Sequence, residues 1–123
     1  MRLSANTTAD RVRRLRSSGV LSGYHATIDY EAIGRPLHLL SDLRLREGTD
    51  NAGFQDNLAT IPQITEAYRV TGEYDYQIRV FCRGTVEFER IVDTLKRDHN
   101  VREVRSRLVL HAIPMPGARI LDA

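Results

Sequence analysis

Hydrophobic side chains recur at every second position in four stretches of the chain, a period that predicts β-strands with one buried face. The four stretches are 37–45, 64–71, 76–82 and 101–113. In the second stretch we expect Ile64, Tyr68 and Val70 to share one face. The residues expected to face the core from the first and third stretches are Leu37, Leu39, Ser41, Leu43, Leu45, Tyr76, Ile78, Val80 and Cys82.

Two other stretches space their apolar residues three or four positions apart, which predicts amphipathic helices. In AGFQDNLATIP, Phe54, Leu58 and Ile61 fall at i, i+4 and i+7, and the helix is expected to end before Pro62. The second helix is GTVEFERIVDTLKRDHN, for which Thr85 is the candidate N-cap. Its expected apolar face comprises Phe88, Ile91, Val92, Leu95 and His99.

These six elements follow one another from Leu37 in the order β-α-β-β-α-β. That order is typical of a ferredoxin-like α+β fold, in which both helices cover one face of a four-stranded antiparallel sheet. The other face is left open, and a face that mixes apolar side chains with arginine often forms a dimer. The residues expected on this open face are His38, Arg79, Phe81, Arg107 and Val109.

The pattern predicts a separate appendage before Leu37. Ser4 is a suitable N-cap and Gly19 a suitable C-terminal stop for a helix whose Val12 and Leu15 share a face. Alternating residues then predict a linking strand, and YEAIGRP forms a connector. The predicted organisation is 1–19 for the helix, 20–36 for the linking strand and connector, 37–113 for the ferredoxin-like domain and 114–123 for a C-terminal tail.

Positive charge is concentrated in that appendage. Residues 1–19 contain five arginines and one acid, a net charge of +4, whereas the rest of the chain has 13 basic and 15 acidic residues, a net charge of −2. A basic end on a weakly acidic body is typical of a protein that binds a polyanion. The alternative is a solvated helix face in a chain that favours arginine, since Lys96 is the only lysine.

The remaining composition argues against several classes of protein. No apolar run approaches the roughly 20 residues of a membrane span, and the N-terminus carries no export signal, so we expect a cytoplasmic protein. The four histidines lack metal-ligand spacing, no glycine-rich phosphate loop is present, and the single cysteine, Cys82, is expected to be buried and unreactive. We therefore expect no catalytic residue, no metal, no cofactor and no enzymatic activity.

Several short motifs, taken in order, resemble the Lrp/AsnC family of bacterial and archaeal transcription regulators. They are Leu3-Ser4, Arg11-Val12, Leu15, Gly19-Val20-Leu21, Gly23-Tyr24, Gly34 and VTGEYDYQIRVFC at 70–82. Each motif is short, but their order and spacing extend from residue 3 to about residue 113. The resemblance implies that 37–113 is the family's effector domain, called RAM, and that 1–19 belongs to its helix-turn-helix DNA-binding domain.

By this resemblance, the basic helix is the recognition helix of a helix-turn-helix, which enters the major groove of double-stranded DNA. The resemblance implies that Asn6, Thr7 and Thr8 face base edges or phosphates and that Arg11 and Arg14 reach phosphates or bases. The alternative for the first three is an ordinary polar first turn. We expect the chain to lack the family's first two helices, and to bind DNA only where the motif is complete.

The resemblance also implies an effector site in TGEYDY, where effector domains of adjacent dimers meet and an amino acid is the usual ligand. Gly72 would let the backbone approach the ligand, and Asp75 would accept from an α-ammonium group. Tyr74 and Tyr76 would wall the pocket, and Ser106 matches a position where the family often has a ligand-contacting threonine. RSRLVL departs from the family's usual Thr-Ser-Ile-Val-Leu, which leaves the effector open. From the residues alone, a plain β-hairpin explains the same motif.

Three functional hypotheses follow from these observations. The first is an amino-acid-responsive, DNA-binding transcription regulator that assembles into dimers and into an octamer of four dimers. The second is a stand-alone module that oligomerises and senses amino acids without binding DNA itself. The third is an unrelated enzyme built on a ferredoxin-like sheet, since that fold hosts many functions.

Overall fold

The computed structural model describes residues 28–123, which form four strands, two α-helices and a C-terminal 3₁₀ helix. The elements are β1 (Leu37–Leu45), α1 (Asn51–Leu58), β2 (Ile64–Arg69), β3 (Tyr76–Cys82), α2 (Thr85–Asp98), β4 (Val101–Leu108) and the 3₁₀ helix (Gly117–Asp122). The predicted β-α-β-β-α-β order is confirmed. The predicted basic helix and the start of the linking strand lie outside the described residues.

The four strands form one antiparallel sheet with the order β2-β3-β1-β4. With β1 and β3 at the centre, this is the order of the ferredoxin-like α+β fold, as predicted. The register places Ser41 of β1 opposite Ile78 of β3 and Ser106 of β4. Odd-numbered residues of β1 therefore share a face of the sheet with even-numbered residues of β3.

The hydrophobic core lies between this face and the two helices. Burial alternates along β3 from Tyr76 to Cys82, and Leu39, Ser41 and Leu43 of β1 are buried, so the predicted core faces of both strands are confirmed. The core cluster comprises Leu43, Phe54, Leu58, Ile61, Tyr76, Ile78, Val80, Cys82, Ile91, Leu95 and Val101.

Helix α2 buries the centre of its predicted apolar face, at Ile91 and Leu95. Phe88 is partly buried against the same cluster. None of the helices formed by residues 28–123 has the length and apolar character needed to span a bilayer.

β2 departs from the predicted pattern. Its pairing with β3 shifts between Ile64 and Glu66, because Thr65 is an extra residue in a β-bulge. Ile64 therefore faces the core, whereas Tyr68 lies on the open face. The prediction that these two residues share a face is wrong, and Val70 lies beyond the end of the strand.

The ends of three elements refine the predicted boundaries. α1 begins after Asp50, whose carboxylate accepts a hydrogen bond from the backbone N–H of Gly53 at 3.1 Å. α2 begins at Thr85 itself, and its N-cap is Gly84, so the prediction that Thr85 caps this helix is wrong. β4 ends at Leu108, five residues short of the predicted end, and the chain then leaves the sheet.

Candidate effector site

The TGEYDY motif forms the hairpin that joins β2 to β3. The backbone N–H of Val70 donates to the carbonyl oxygen of Asp75 at 3.0 Å and closes the turn. Gly72 has a φ of 109°, a conformation that side chains with a Cβ rarely adopt. The hairpin shape therefore depends on glycine at this position.

Asp75 fastens the hairpin to the end of β1. Its carboxylate Oδ2 accepts from the backbone N–H of Leu45 at 2.7 Å, and its own N–H donates to the carbonyl of Leu43 at 2.8 Å. No hydrogen bond from residues 28–123 reaches the other carboxylate oxygen, Oδ1. Asp75 is thus a structural anchor that leaves one carboxylate oxygen without a hydrogen bond from residues 28–123.

Tyr74 contacts two residues of the neighbouring strands. Its hydroxyl donates to Glu103 Oε1 at 3.2 Å, and the Arg44 guanidinium carbon lies 5.1 Å from its ring centroid. Arg44 also donates through Nε to the carbonyl of Glu73 at 3.2 Å and pairs with Glu103 at 3.6 Å. We call Arg44, Tyr74 and Glu103 the hairpin cluster.

The sequence prediction missed Arg44 and Glu103. Both lie on strands whose alternation was recognised, at positions that face away from the core. Their proximity to the hairpin follows only from the order of strands in the sheet, since 29 residues separate Tyr74 from Glu103 in the chain.

Tyr76 lies on the helix-covered face of the sheet, and only 2% of it is exposed. Its hydroxyl donates to Asn51 Oδ1 at 2.8 Å and accepts from Gln55 Nε2 at 3.0 Å. The same ring borders a groove of about 400 Å³ between α1 and β2, with Leu58 and Arg69 among its other walls. Tyr76 therefore supports α1, and its ring forms part of the wall of this groove.

Ser106 also lies on the helix-covered face, where its hydroxyl is 2.8 Å from that of the buried Ser41. It borders a separate groove of about 520 Å³ between α2 and β4, together with Phe88, Val92 and Val104. Within one subunit, the structure gathers Gly72, Tyr74 and Asp75 in the hairpin turn, whereas the side chains of Tyr76 and Ser106 lie on the helix-covered face of the sheet. The effector role of these five residues stays a prediction.

The predicted DNA-contacting residues Asn6, Thr7, Thr8, Arg11 and Arg14 lie outside the described residues. Their role stays a prediction as well. Among residues 28–123, no group of three or more His, Cys, Asp or Glu side chains is placed to hold a metal ion.

The open face of the sheet carries aromatic rings at one end. Tyr30 of the connector stacks on Phe81 with a centroid distance of 3.6 Å, and His38 stacks on the same ring at 4.2 Å. Burial lowers the pKa of His38, the neighbouring Arg79 lowers it further, and Glu66 opposes both. The lowered pKa favours the uncharged form of this ring within the aromatic stack.

Residues 42–117 match the sequence model of the Lrp/AsnC ligand binding domain, which covers both the hairpin and β4. The chain belongs to the Lrp/AsnC family. The resemblance seen in the short motifs is thereby confirmed.

Relatives of this Lrp/AsnC member are transcription regulators. The chain is 30% identical over 108 residues to the HTH-type transcriptional regulator FL11 of Pyrococcus horikoshii, covering 88% of this chain and 71% of that protein.

Two solved structures similar to this chain are complexes with L-methionine. One is a transcriptional regulator from Neisseria meningitidis with L-methionine, with a TM-score of 0.75 and 26% identity, covering 92% of this chain and 75% of the other. The other is a feast or famine regulatory protein from Mycobacterium tuberculosis with L-methionine, with a TM-score of 0.74 and 29% identity, covering 94% and 78%.

Proposed function

We propose that this protein is an amino-acid-responsive transcription regulator whose RAM-type domain binds a small effector and whose N-terminal segment binds DNA. The observation that carries the proposal is the match of residues 42–117 to a ligand binding domain. The two family structures solved with L-methionine support an amino acid as the effector class. The relatives are regulators, so we propose no enzymatic activity and a cytoplasmic site of action.

The effector contacts in this proposal centre on the hairpin. Asp75 Oδ1 would accept from the α-ammonium group, since Oδ2 is already bonded to Leu45. Gly72 leaves open space above its Cα, because nothing lies within 4 Å of the position a Cβ would take. Tyr74 would border the ligand, whereas Tyr76 and Ser106 would reach it only if a second subunit brings its grooves to the hairpin.

That geometry favours an effector site shared between subunits. We propose that the open face forms the dimer and that four dimers form an octamer, so that hairpins of adjacent dimers meet. Leu40 lies at the centre of the open face, opposite Arg79 of β3 and Arg107 of β4. An apolar side chain between arginines suits a self-complementary interface with a two-fold axis.

The DNA contacts belong to residues 1–19 in this proposal, with Asn6, Thr7, Thr8, Arg11 and Arg14 on the recognition helix. The linking strand and connector occupy 20–36, the effector domain 37–113 and the tail 114–123. The net charge of +4 at the N-terminal end suits contact with phosphates.

A ligand screen tests the effector role. The melting temperature of the whole chain is measured with each common amino acid, and L-methionine is titrated by calorimetry. A ligand that binds only the folded state at 100 times its Kd stabilises it by about 2.7 kcal/mol, so the melting temperature rises. The desamino analogue of methionine is the control, because it lacks the ammonium group that Asp75 would bind. An unchanged melting temperature with every amino acid contradicts the proposal.

A second experiment tests the DNA role. Binding to promoter DNA is measured across a salt series, where log K falls linearly with log salt if arginines replace counterions on phosphates. Effector binding without any DNA binding would support the stand-alone sensing module instead. A salt-independent signal would exclude the proposed arginine contacts.

A further inference from the structure

Three independent contacts tie the hairpin to Arg44 and Glu103. The guanidinium of Arg44 lies over the Tyr74 ring, its Nε donates to the Glu73 carbonyl, and Glu103 accepts from the Tyr74 hydroxyl. Arg44 and Glu103 also pair with each other. The hairpin is thus held from the side by the ends of two strands, in addition to the backbone anchor at Asp75.

A hairpin of this kind needs such support. Fixing the backbone of each loop residue costs conformational entropy, and the loop contains a glycine with a wide range of accessible conformations. A ligand that binds only the ordered hairpin loses affinity in proportion to the fraction of molecules in which the hairpin is disordered. Residues that order the loop beforehand therefore raise affinity without contacting the ligand.

We propose that Arg44 and Glu103 are positioning residues that hold the effector hairpin in its binding conformation. The inference rests on the proposed function, because it concerns the same hairpin and the same amino acid ligand. Arg44 is the central member of the hairpin cluster, since it contacts the Tyr74 ring, the Glu73 carbonyl and Glu103 at once.

The expected effects are graded. The Arg44 and Glu103 side chains are 33% and 48% exposed, so solvent screens their ion pair and the pair alone contributes little. Arg44→Ala removes the cation over the ring, the bond to the loop carbonyl and the ion pair together. Glu103→Gln keeps an oxygen that accepts from Tyr74 and removes only the charge. Arg44→Lys restores a cation near the ring without the planar guanidinium.

The experiment combines two measurements on the full chain. Calorimetric titration gives the Kd for L-methionine, and hydrogen exchange without ligand gives the protection of the Val70 and Asp75 amides, both of which donate within the hairpin anchor. Tyr68→Phe is the matched control, because it removes the same kind of phenol-to-carboxylate bond, to Glu66 at 2.6 Å, away from the cluster.

We expect Arg44→Ala to weaken binding about three- to tenfold, which corresponds to the loss of about one net hydrogen bond, and to speed exchange at both amides. Glu103→Gln is expected to have a smaller effect, Arg44→Lys to recover part of the loss, and Tyr68→Phe to leave both readouts unchanged. If Arg44→Ala leaves hydrogen exchange at both amides unchanged, the inference is overturned. If binding is nevertheless weaker, Arg44 contacts the ligand directly instead of positioning the hairpin. If the wild-type chain binds no amino acid, the proposed function fails, while the exchange measurement still decides whether Arg44 orders the hairpin.

Discussion

At the scale of single residues, Ser41 is the polar side chain with the least contact with water in the described part of the chain. It is 1% exposed, and its hydroxyl bonds to that of Ser106 across the β1–β4 pair. We expect Ser106→Ala to lower the free energy of unfolding by about 1–2 kcal/mol, because a buried hydroxyl left without a partner keeps its full desolvation cost. Urea denaturation measures the change.

The double variant Ser41→Ala/Ser106→Ala is the control for that prediction. Removing both hydroxyls leaves no orphaned group, so its loss is expected to be smaller than the sum of the two single losses. If the losses in free energy of unfolding of the two single variants simply add, the two hydroxyls are not energetically coupled. In that case a ligand could bond to Ser106 without destabilising Ser41.

Cys82 gives a pH-dependent prediction at the same scale. Burial raises the pKa of its thiol from 9.0 to about 11, with a smaller contribution from Glu87. Because the pKa is higher in the folded state, the contribution of the thiol to stability is fully present below about pH 9 and is lost as the pH rises through about 11. The free energy of unfolding is therefore expected to fall more steeply between these values in the wild type than in Cys82→Ala, and parallel curves would contradict this.

At the scale of elements, we expect the same substitution, glycine to serine, to change stability in opposite directions at two positions. Gly84 is the N-cap of α2 in an extended conformation, whereas Gly72 in the hairpin has a φ of 109°. At both positions, no atom lies within 4 Å of the place that an added Cβ would take. Gly84→Ser is expected to stabilise by about 0.5–1 kcal/mol, since serine caps the helix and restricts the unfolded chain. Gly72→Ser is expected to destabilise by about 1–3 kcal/mol through backbone strain. Thermal denaturation measures the shift in melting temperature for each variant. Shifts in the same direction would contradict the argument from backbone conformation.

The elements themselves could be predicted from the sequence because each follows a period of its own. Alternation identified β1 and β3, and the 3.6-residue period identified both helices. β2 could not be predicted in detail, because one inserted residue, Thr65, reverses the face of everything after it. Side chains alternate regularly on each side of the bulge, so the sequence does not show it. Only the pairing with β3 reveals the shift in register.

The residues of the candidate site also fall into two groups, those that a local sequence motif predicts and those that only the folded sheet brings together. Gly72 and Asp75 belong to a local turn motif, so the sequence predicted the hairpin, whereas their effector role came from the family resemblance and stays a prediction. Arg44 and Glu103 belong to the hairpin only through the order of strands in the sheet, which brings the end of β1 and the start of β4 beside it. Their contacts with the hairpin are long-range in sequence, and no local pattern predicts them.

At the scale of the whole molecule, the connector before β1 contacts the domain on both faces of its sheet. Tyr30 stacks on Phe81 of the open face, whereas Arg35 forms an ion pair with Glu87 at the start of α2. Arg83 also approaches Glu87, at 3.8 Å. The connector therefore contacts both faces of the sheet, through Tyr30 on the open face and through Arg35 beside α2.

The proposed role of the open face as a dimer interface can be tested by placing one added charge on it. In a two-fold interface each copy presents the same patch, so an added cation meets its own like charge across the axis. Leu40→Arg places a third arginine beside Arg79 and Arg107, and we expect it to shift the protein towards monomer in sedimentation experiments, with partial recovery at high salt as the charges are screened. Val86→Arg is the matched control, since Val86 is 61% exposed and lies on α2, across the sheet from that face. If Leu40→Arg folds normally and remains as dimeric as the control, the subunits associate through another surface, and the effector hairpins must meet in a different arrangement.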